Sequence, residues 1–156
     1  MNYVEAPKDF NDNSVPSLFL AGGITGCPDW QATIIQMLQN EKVTLFSPRR
    51  KNFDVTNPKE SEVQITWEHK YLNATDAISF WFCEKETQPI TLLEFGRYTT
   101  KELGRKVFVG VDPKYPRIKD VQIQLSLERP EIQIVYSLSD LVAQIQIWLQ
   151  TNQKVG

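Results

Sequence analysis

Two glutamates in this sequence are placed to do chemistry. Glu94 lies in Ile90-Thr-Leu-Leu-Glu-Phe-Gly96, flanked by Leu92, Leu93 and Phe95. A carboxylate in apolar surroundings is paired, shifted in pKa, or used. Glu68 lies in Trp67-Glu-His-Lys70, on a helical stretch that feeds the strand before Glu94. If both helices reach the same sheet edge, the two carboxylates converge. Such a pair suits glycosidic chemistry, in which one attacks the anomeric carbon and the other handles the leaving group's proton. Each also has a plainer reading. Glu94 could reach solvent or pair with Arg97 or Lys101, and Glu68 could be a solvated residue on an amphipathic helix.

Several residues stand beside them as binding candidates. Ala21-Gly-Gly-Ile-Thr-Gly26 is a glycine-rich turn that lacks both the lysine of a P-loop and the GxGxxG spacing of a dinucleotide fingerprint. Gly22 and Gly23 would let a ligand approach the backbone closely. Arg49 and Arg50 could grip a phosphate or a carbonyl-bearing base, or belong to a solvated basic loop. Trp30, close to the glycine-rich turn, could stack on a base or sit in the core. His69 is the single histidine, and Cys27 and Cys83 form no CxxC. Neither a structural zinc site nor a disulfide framework is expected. With no histidine placed to pair with either cysteine, thiol chemistry has no support. Nothing calls for a metal or redox cofactor.

The elements that must position these residues alternate. Residues 1–16, with Pro7 and Pro16, read as a loosely held lead-in, and residues 17–150 as a single α/β domain. Strands are expected at Ser17–Gly22, Val43–Phe46, Asp76–Phe82, Lys106–Val111 and Ile132–Val135. Helices are expected to open at Cys27-Pro-Asp29 and to run over about Glu62–Ala74 and Pro89–Leu103. A short one follows Arg117, and one from Leu138 is capped by Ser137 and Asp140. Ser47 to about Ser61 reads as a long polar loop. This alternation calls for a parallel sheet covered on both faces. Ligands then bind beyond the carboxyl ends of the strands, where strand order reverses.

Composition narrows the function further. At 156 residues the chain is one ordinary domain, 41% hydrophobic and 23% charged, which is a folded and soluble composition. The net charge of −2 leaves no basic surplus for a nucleic-acid backbone. No apolar run approaches the ~18 residues of a membrane span, and the polar, acidic stretch Met1–Asn13 is unlike a signal peptide. The expectation is a cytoplasmic protein.

Taken in order, Leu18-Phe-Leu-Ala-Gly-Gly-Ile-Thr25, Ser47-Pro-Arg-Arg50, Trp67-Glu-His69, Asp76-Ala-Ile-Ser-Phe-Trp-Phe82 and Leu93-Glu-Phe-Gly96 resemble the nucleoside deoxyribosyltransferase family. The likeness is strongest to its branch of short nucleoside deoxyribosyltransferase-like proteins, and it spans about residues 17–136. It implies a flavodoxin-like, five-stranded parallel sheet of order 2-1-3-4-5 with helices on both faces. The implied reaction is transfer of a 2-deoxyribosyl group between nucleobases, with hydrolysis as a side reaction. By the same resemblance Glu94 is the nucleophile, Glu68 the proton-transfer carboxylate, and Phe19 the aromatic residue beside the nucleophile. Gly22, Gly23, Arg49, Arg50 and Phe53 would line the base pocket. Three departures accompany the match: Phe19 has no hydroxyl, Glu68 is a methylene longer than the usual Asp, and Gln88 stands where an Asp is common. The resemblance also implies a homo-oligomer whose neighbouring subunit completes the site, with the loop Asp112 to Arg117 a candidate for that contact. The implied partners are a 2′-deoxynucleoside and a free nucleobase. Two alternatives stand beside this reading: a nucleoside 5′-monophosphate N-glycosidase, and a non-catalytic nucleotide-sensing module.

Overall fold

A computed structural model describes residues 1–54 and 56–153. The strands are β1 (Asn2–Glu5), β2 (Ser17–Gly22), β3 (Thr44–Ser47), β4 (Ala77–Phe82), β5 (Lys106–Val111) and β6 (Ile134–Val135). The helices are α1 (Trp30–Met37), α2 (Pro58–Ala74), α3 (Pro89–Tyr98), α4 (Ile118–Glu128) and α5 (Leu138–Thr151). All strand pairs are parallel, and the sheet order is β1-β3-β2-β4-β5-β6.

The sheet therefore has six strands, not the expected five. The five expected strands keep their order, and the addition is β1, drawn from the segment read as a loose lead-in. Asn2 to Glu5 pair in register with Thr44 to Ser47. The segment after β1 is pinned as well. The Trp67 indole donates to the Lys8 carbonyl at 2.8 Å, and the Phe10 amide donates to the Tyr71 hydroxyl at 2.8 Å. A four-residue edge strand carries too little alternation to announce itself. Its stability comes from β3, which a local reading does not see.

The start of α2 is a second difference. Asn57 accepts from the Lys59 amide at 3.1 Å, and Pro58 takes the first helical turn. This Asn-Pro cap begins the helix four residues before the expected start and shortens the loop after β3, whose Val55 lies outside the described residues. Asp29 and Ser137 cap α1 and α5 at the expected places.

Alternation along each strand divides the core into two layers. Phe19, Phe46, Ile78, Phe80 and Phe82 face α2, α3 and α4, where they meet Trp67, Tyr71, Phe95, Tyr98 and Leu125. Leu18, Leu20, Leu45, Ala77 and Trp81 face α1 and α5. From β2 the chain crosses to β3 on one side, then returns over β2 to β4 on the other. The strand order reverses between β2 and β4, and a cavity opens there.

Candidate active site

A cavity of about 310 Å³, within the ~300–1,000 Å³ range of small-molecule clefts, opens at the carboxyl ends of β2 and β4. Phe19, Gly22, Gly23, Glu68, Gln88 and Glu94 line it. Each reaches the cavity for a local reason. Phe19 is buried on the α2 face of β2 and packs against Trp67, ring centroids 5.8 Å apart. Glu68 follows Trp67, whose burial turns that side of α2 inward. Glu94 precedes Phe95, which wedges edge-on between Phe80 and Phe82.

The two glutamates share one electrostatic environment. Burial raises the Glu94 carboxyl to about 8, and the nearby Glu68 charge adds to the rise. Burial also pushes Glu68 up, opposed by a hydrogen bond from Gln64. Glu94 makes no hydrogen bond or ion pair among the described residues. Arg97 lies instead over the Tyr98 ring, so the plainer reading of Glu94 as a surface ion-pair partner does not describe this geometry. Ionising Glu68 makes it costlier to ionise Glu94, so the two carboxyls titrate as a coupled pair.

Gln88 is the local exception in backbone conformation. Its φ of 53° and ψ of 60° are left-handed, uncommon for a residue other than glycine. The buried side chain holds the conformation by donating to the Cys83 carbonyl at 2.9 Å and the Glu86 carbonyl at 3.1 Å. Its Oε1 is buried without a partner among the described residues and faces Gly23, where an added Cβ would lie 2.5 Å from it. A side chain at Gly22 would run into the Trp81 carbonyl and the Trp30 ring. Both glycines therefore let the turn pack tightly against α1, β4 and the loop that follows β4.

A disulfide joins Cys27, at the end of the glycine-rich turn, to Cys83, just after β4. This corrects the expectation that the cysteines stay apart. They are 56 residues distant in sequence, but parallel neighbours β2 and β4 bring their following loops together. The bond ties two walls of the cavity to each other.

Four other candidates lie outside the cavity. Trp30 is buried beneath the glycine-rich turn and donates its indole N–H to the Gly23 carbonyl at 2.9 Å. Arg49 supports the same turn from below. Its Nε donates to Gln31 at 2.9 Å, its NH2 to the Pro28 carbonyl at 3.0 Å and the Ile24 and Cys27 carbonyls at 3.3 Å, and it pairs with Asp29. Arg50 pairs with Glu60 at 2.6 Å and lies over the Phe53 ring. Both arginines face a neighbouring cavity between β1, β3 and α1. The fold brings an acid to each: Arg49 underpins the glycine-rich turn beside Asp29, and Arg50 ties the loop after β3 to α2 through Glu60.

The cavity also takes in Ile24, Thr25, Pro48, Glu86, Ile90 and Thr91, which sequence reasoning did not single out. Ile24, Thr25, Pro48 and Glu86 fall within the stretches that follow β2, β3 and β4, where the carboxyl-edge rule expects a ligand, and Ile90 and Thr91 lie just beyond, in the first turn of α3. Tyr115, in the loop Asp112 to Arg117, is buried and donates to the Thr87 carbonyl at 2.7 Å. That loop braces the β4–α3 connection within the same chain.

The comparisons with known proteins agree with this frame. A crystal structure of a conserved protein from Enterococcus faecalis V583 superposes with a TM-score of 0.61 at 16% identity, covering 86% of this chain and 99% of that one. At that identity the likeness is one of fold. No curated protein matches the chain. Residues 15–115, about two thirds of the chain and the part that carries both glutamates, match the family described as nucleoside 2-deoxyribosyltransferase like. The chain belongs to the nucleoside 2-deoxyribosyltransferase-like family.

Proposed function

We propose that the protein transfers a 2-deoxyribosyl group between nucleobases by double displacement, with Glu94 as nucleophile and Glu68 as acid. The observation that carries this reading is the pair of carboxylates lining one cavity at the strand-order reversal, each pushed up by desolvation. A Glu94 oxygen bonds to C1′ as the C1′–N bond breaks. The bond's electron pair goes to the base nitrogen, which takes the proton from Glu68. A second base then attacks C1′ from the opposite face, its proton returns to Glu68, and the ester to Glu94 breaks, so the configuration is retained overall. Water in place of the second base gives hydrolysis.

The lining favours a neutral nucleoside over a 5′-monophosphate. It contains Glu68, Glu86 and Glu94, and no lysine, arginine or histidine among the described residues. The charged side chains that a phosphate would meet there are all carboxylates. Ile90 lines the cavity while lying 62% exposed, which supports a homo-oligomer in which a second copy of the chain closes the mouth.

The test is 2′-deoxyinosine with free adenine, followed by chromatography, with 2′-deoxyinosine 5′-monophosphate run in parallel. New 2′-deoxyadenosine, with the monophosphate the poorer substrate, is the expected result. Hypoxanthine release from the monophosphate alone would move the assignment to an N-glycosidase. Thermal stabilisation by nucleosides without any base release would make the protein a binding module.

Acid–base behaviour follows from the one proton that this mechanism requires. The working form carries one proton between the two carboxyls. Above about 8 that proton is lost, and at low pH both groups are protonated and the nucleophile is blocked. The expected kcat/KM for base release is therefore bell-shaped in pH with its alkaline limb near 8. A profile flat from pH 6 to 9 would contradict the coupling.

A further inference from the structure

Glu68 is not held by its own helix alone. One turn earlier on α2, Gln64 is buried and donates from a single nitrogen, Nε2, to two acceptors: the Pro48 carbonyl at 2.7 Å and Glu68 Oε1 at 2.8 Å. The Pro48 carbonyl can only accept. An amide turned the other way would set oxygen against oxygen there, so the orientation of Gln64 is dictated by a backbone atom and not by Glu68. The remaining Gln64 oxygen is buried without a partner among the described residues, an unfavourable arrangement that leaves the two N–H bonds as what keeps the side chain in place.

A fixed amide N–H has a directional consequence for the carboxyl it meets. The Glu68 oxygen that accepts from Gln64 is favoured as the bare oxygen. A proton on Glu68 then sits on Oε2, the oxygen that Gln64 does not hold. Pro48 is itself part of the cavity wall, so the clamp registers Glu68 against the surface on which the base would lie.

We propose that Gln64 is the positioning residue of this site: clamped by the Pro48 carbonyl, it anchors one oxygen of Glu68 so that the other exchanges the proton with the departing base. The proposal rests on the deoxyribosyl-transfer reading for its role and on the α2 geometry for its mechanism. The other titratable groups lining the cavity are Glu94 from α3 and Glu86 from the β4–α3 loop; the turn after β2 and the segment at Pro48 contribute none.

Gln64→Met keeps length and loses both hydrogen bonds, and Gln64→Asn keeps the amide on a stem too short to span Pro48 and Glu68. In both, kcat for base release is expected to fall about 10-fold, a part of what a positioned acid contributes, with KM little changed. The acid limb of the pH profile should move upward, because the bond from Gln64 lowers the Glu68 carboxyl and its loss releases that hold. Carbon-13 NMR titration of the glutamate carboxyls, with Glu68→Gln to assign the resonance, reads the same shift without any turnover. A folded Gln64→Met protein whose Glu68 titration and acid limb match the wild type would overturn the proposal. A wild type that releases no base, yet shows the Glu68 titration moving in Gln64→Met, would remove the reaction and leave the clamp. Failure of both variants to fold, as judged by melting, would make Gln64 a core residue and overturn the positioning role.

Discussion

Glu94→Gln is expected to abolish base exchange and to make the fold more stable at alkaline pH. The loss of activity should be on the order of 10⁴-fold or more, the scale seen when a covalent nucleophile is removed. The gain in stability follows from linkage. The Glu94 carboxyl titrates at about 8 in the folded chain against 4.5 as its ordinary value. A raised carboxyl favours folding fully while both states are protonated, below about 4.5. As pH climbs from there to about 8 the unfolded chain gives up its proton and the folded chain does not, so stability falls across that window. Above 8 the folded protein carries a half-buried anion near Glu68. Glutamine keeps the shape and never ionises, so the variant should lose less stability between pH 5 and 9 than the wild type. Its melting temperature should exceed the wild type's by several degrees at pH 9 and approach it at pH 5. Melting curves at the two pH values, beside the exchange assay, check both halves. Equal pH slopes would mean that Glu94 is solvated, and retained exchange would mean that another group attacks C1′. A function-bearing residue that costs stability is the usual trade-off at active sites.

Breaking the Cys27–Cys83 bond is expected to have the second largest effect. The bond closes a loop of 56 residues, and constraining a loop of that length in the unfolded chain stabilises the fold by about 4 kcal/mol in the chain-entropy account. Reduction with a dithiol, or Cys27→Ser with Cys83→Ser, should lower the melting temperature on the order of 10 °C. The same change should raise KM more than it lowers kcat. The bond ties the glycine-rich turn to the loop carrying Gln88, and an added Cβ at Gly23 would lie 2.5 Å from both Cys27 Sγ and Gln88 Oε1. Loosening that contact blurs the wall facing the ligand and leaves Glu94 on its own helix. An unchanged melting temperature after reduction, with free thiols confirmed by titration, would contradict the cross-link's role. An unchanged KM would show that Gln88 and Arg49 hold the cavity wall unaided.

How much of the site could be read in advance depended on the range of the interaction involved. Glu94, Glu68, Phe19, Gly22, Gly23 and Gln88 all line the cavity, because each sits at or just beyond an element whose apolar period is written locally. Arg49 and Arg50 also sit after a strand, and the same rule nominated them. Asp29 and Glu60 then claim their charges, and no local pattern says which acids will be near. Gln64 was legible in one respect only. Its spacing of four residues from Glu68 puts both on one helix face, but the carbonyl that fixes its amide belongs to Pro48.

Periodicity, caps and glycine placement in this sequence were sufficient for five of the six strands, the five helices and the sheet edge where a ligand belongs, and the family resemblance added the pairing of Glu94 with Glu68. The elements and that edge are consequences of near-neighbour sterics and of which side of each element is apolar. The sixth strand, the disulfide, the neutralised arginines and the Gln64 clamp were decided only when the chain was packed. Each depends on a partner from 10 to 56 residues away, and a contact at that range is set by how the elements pack.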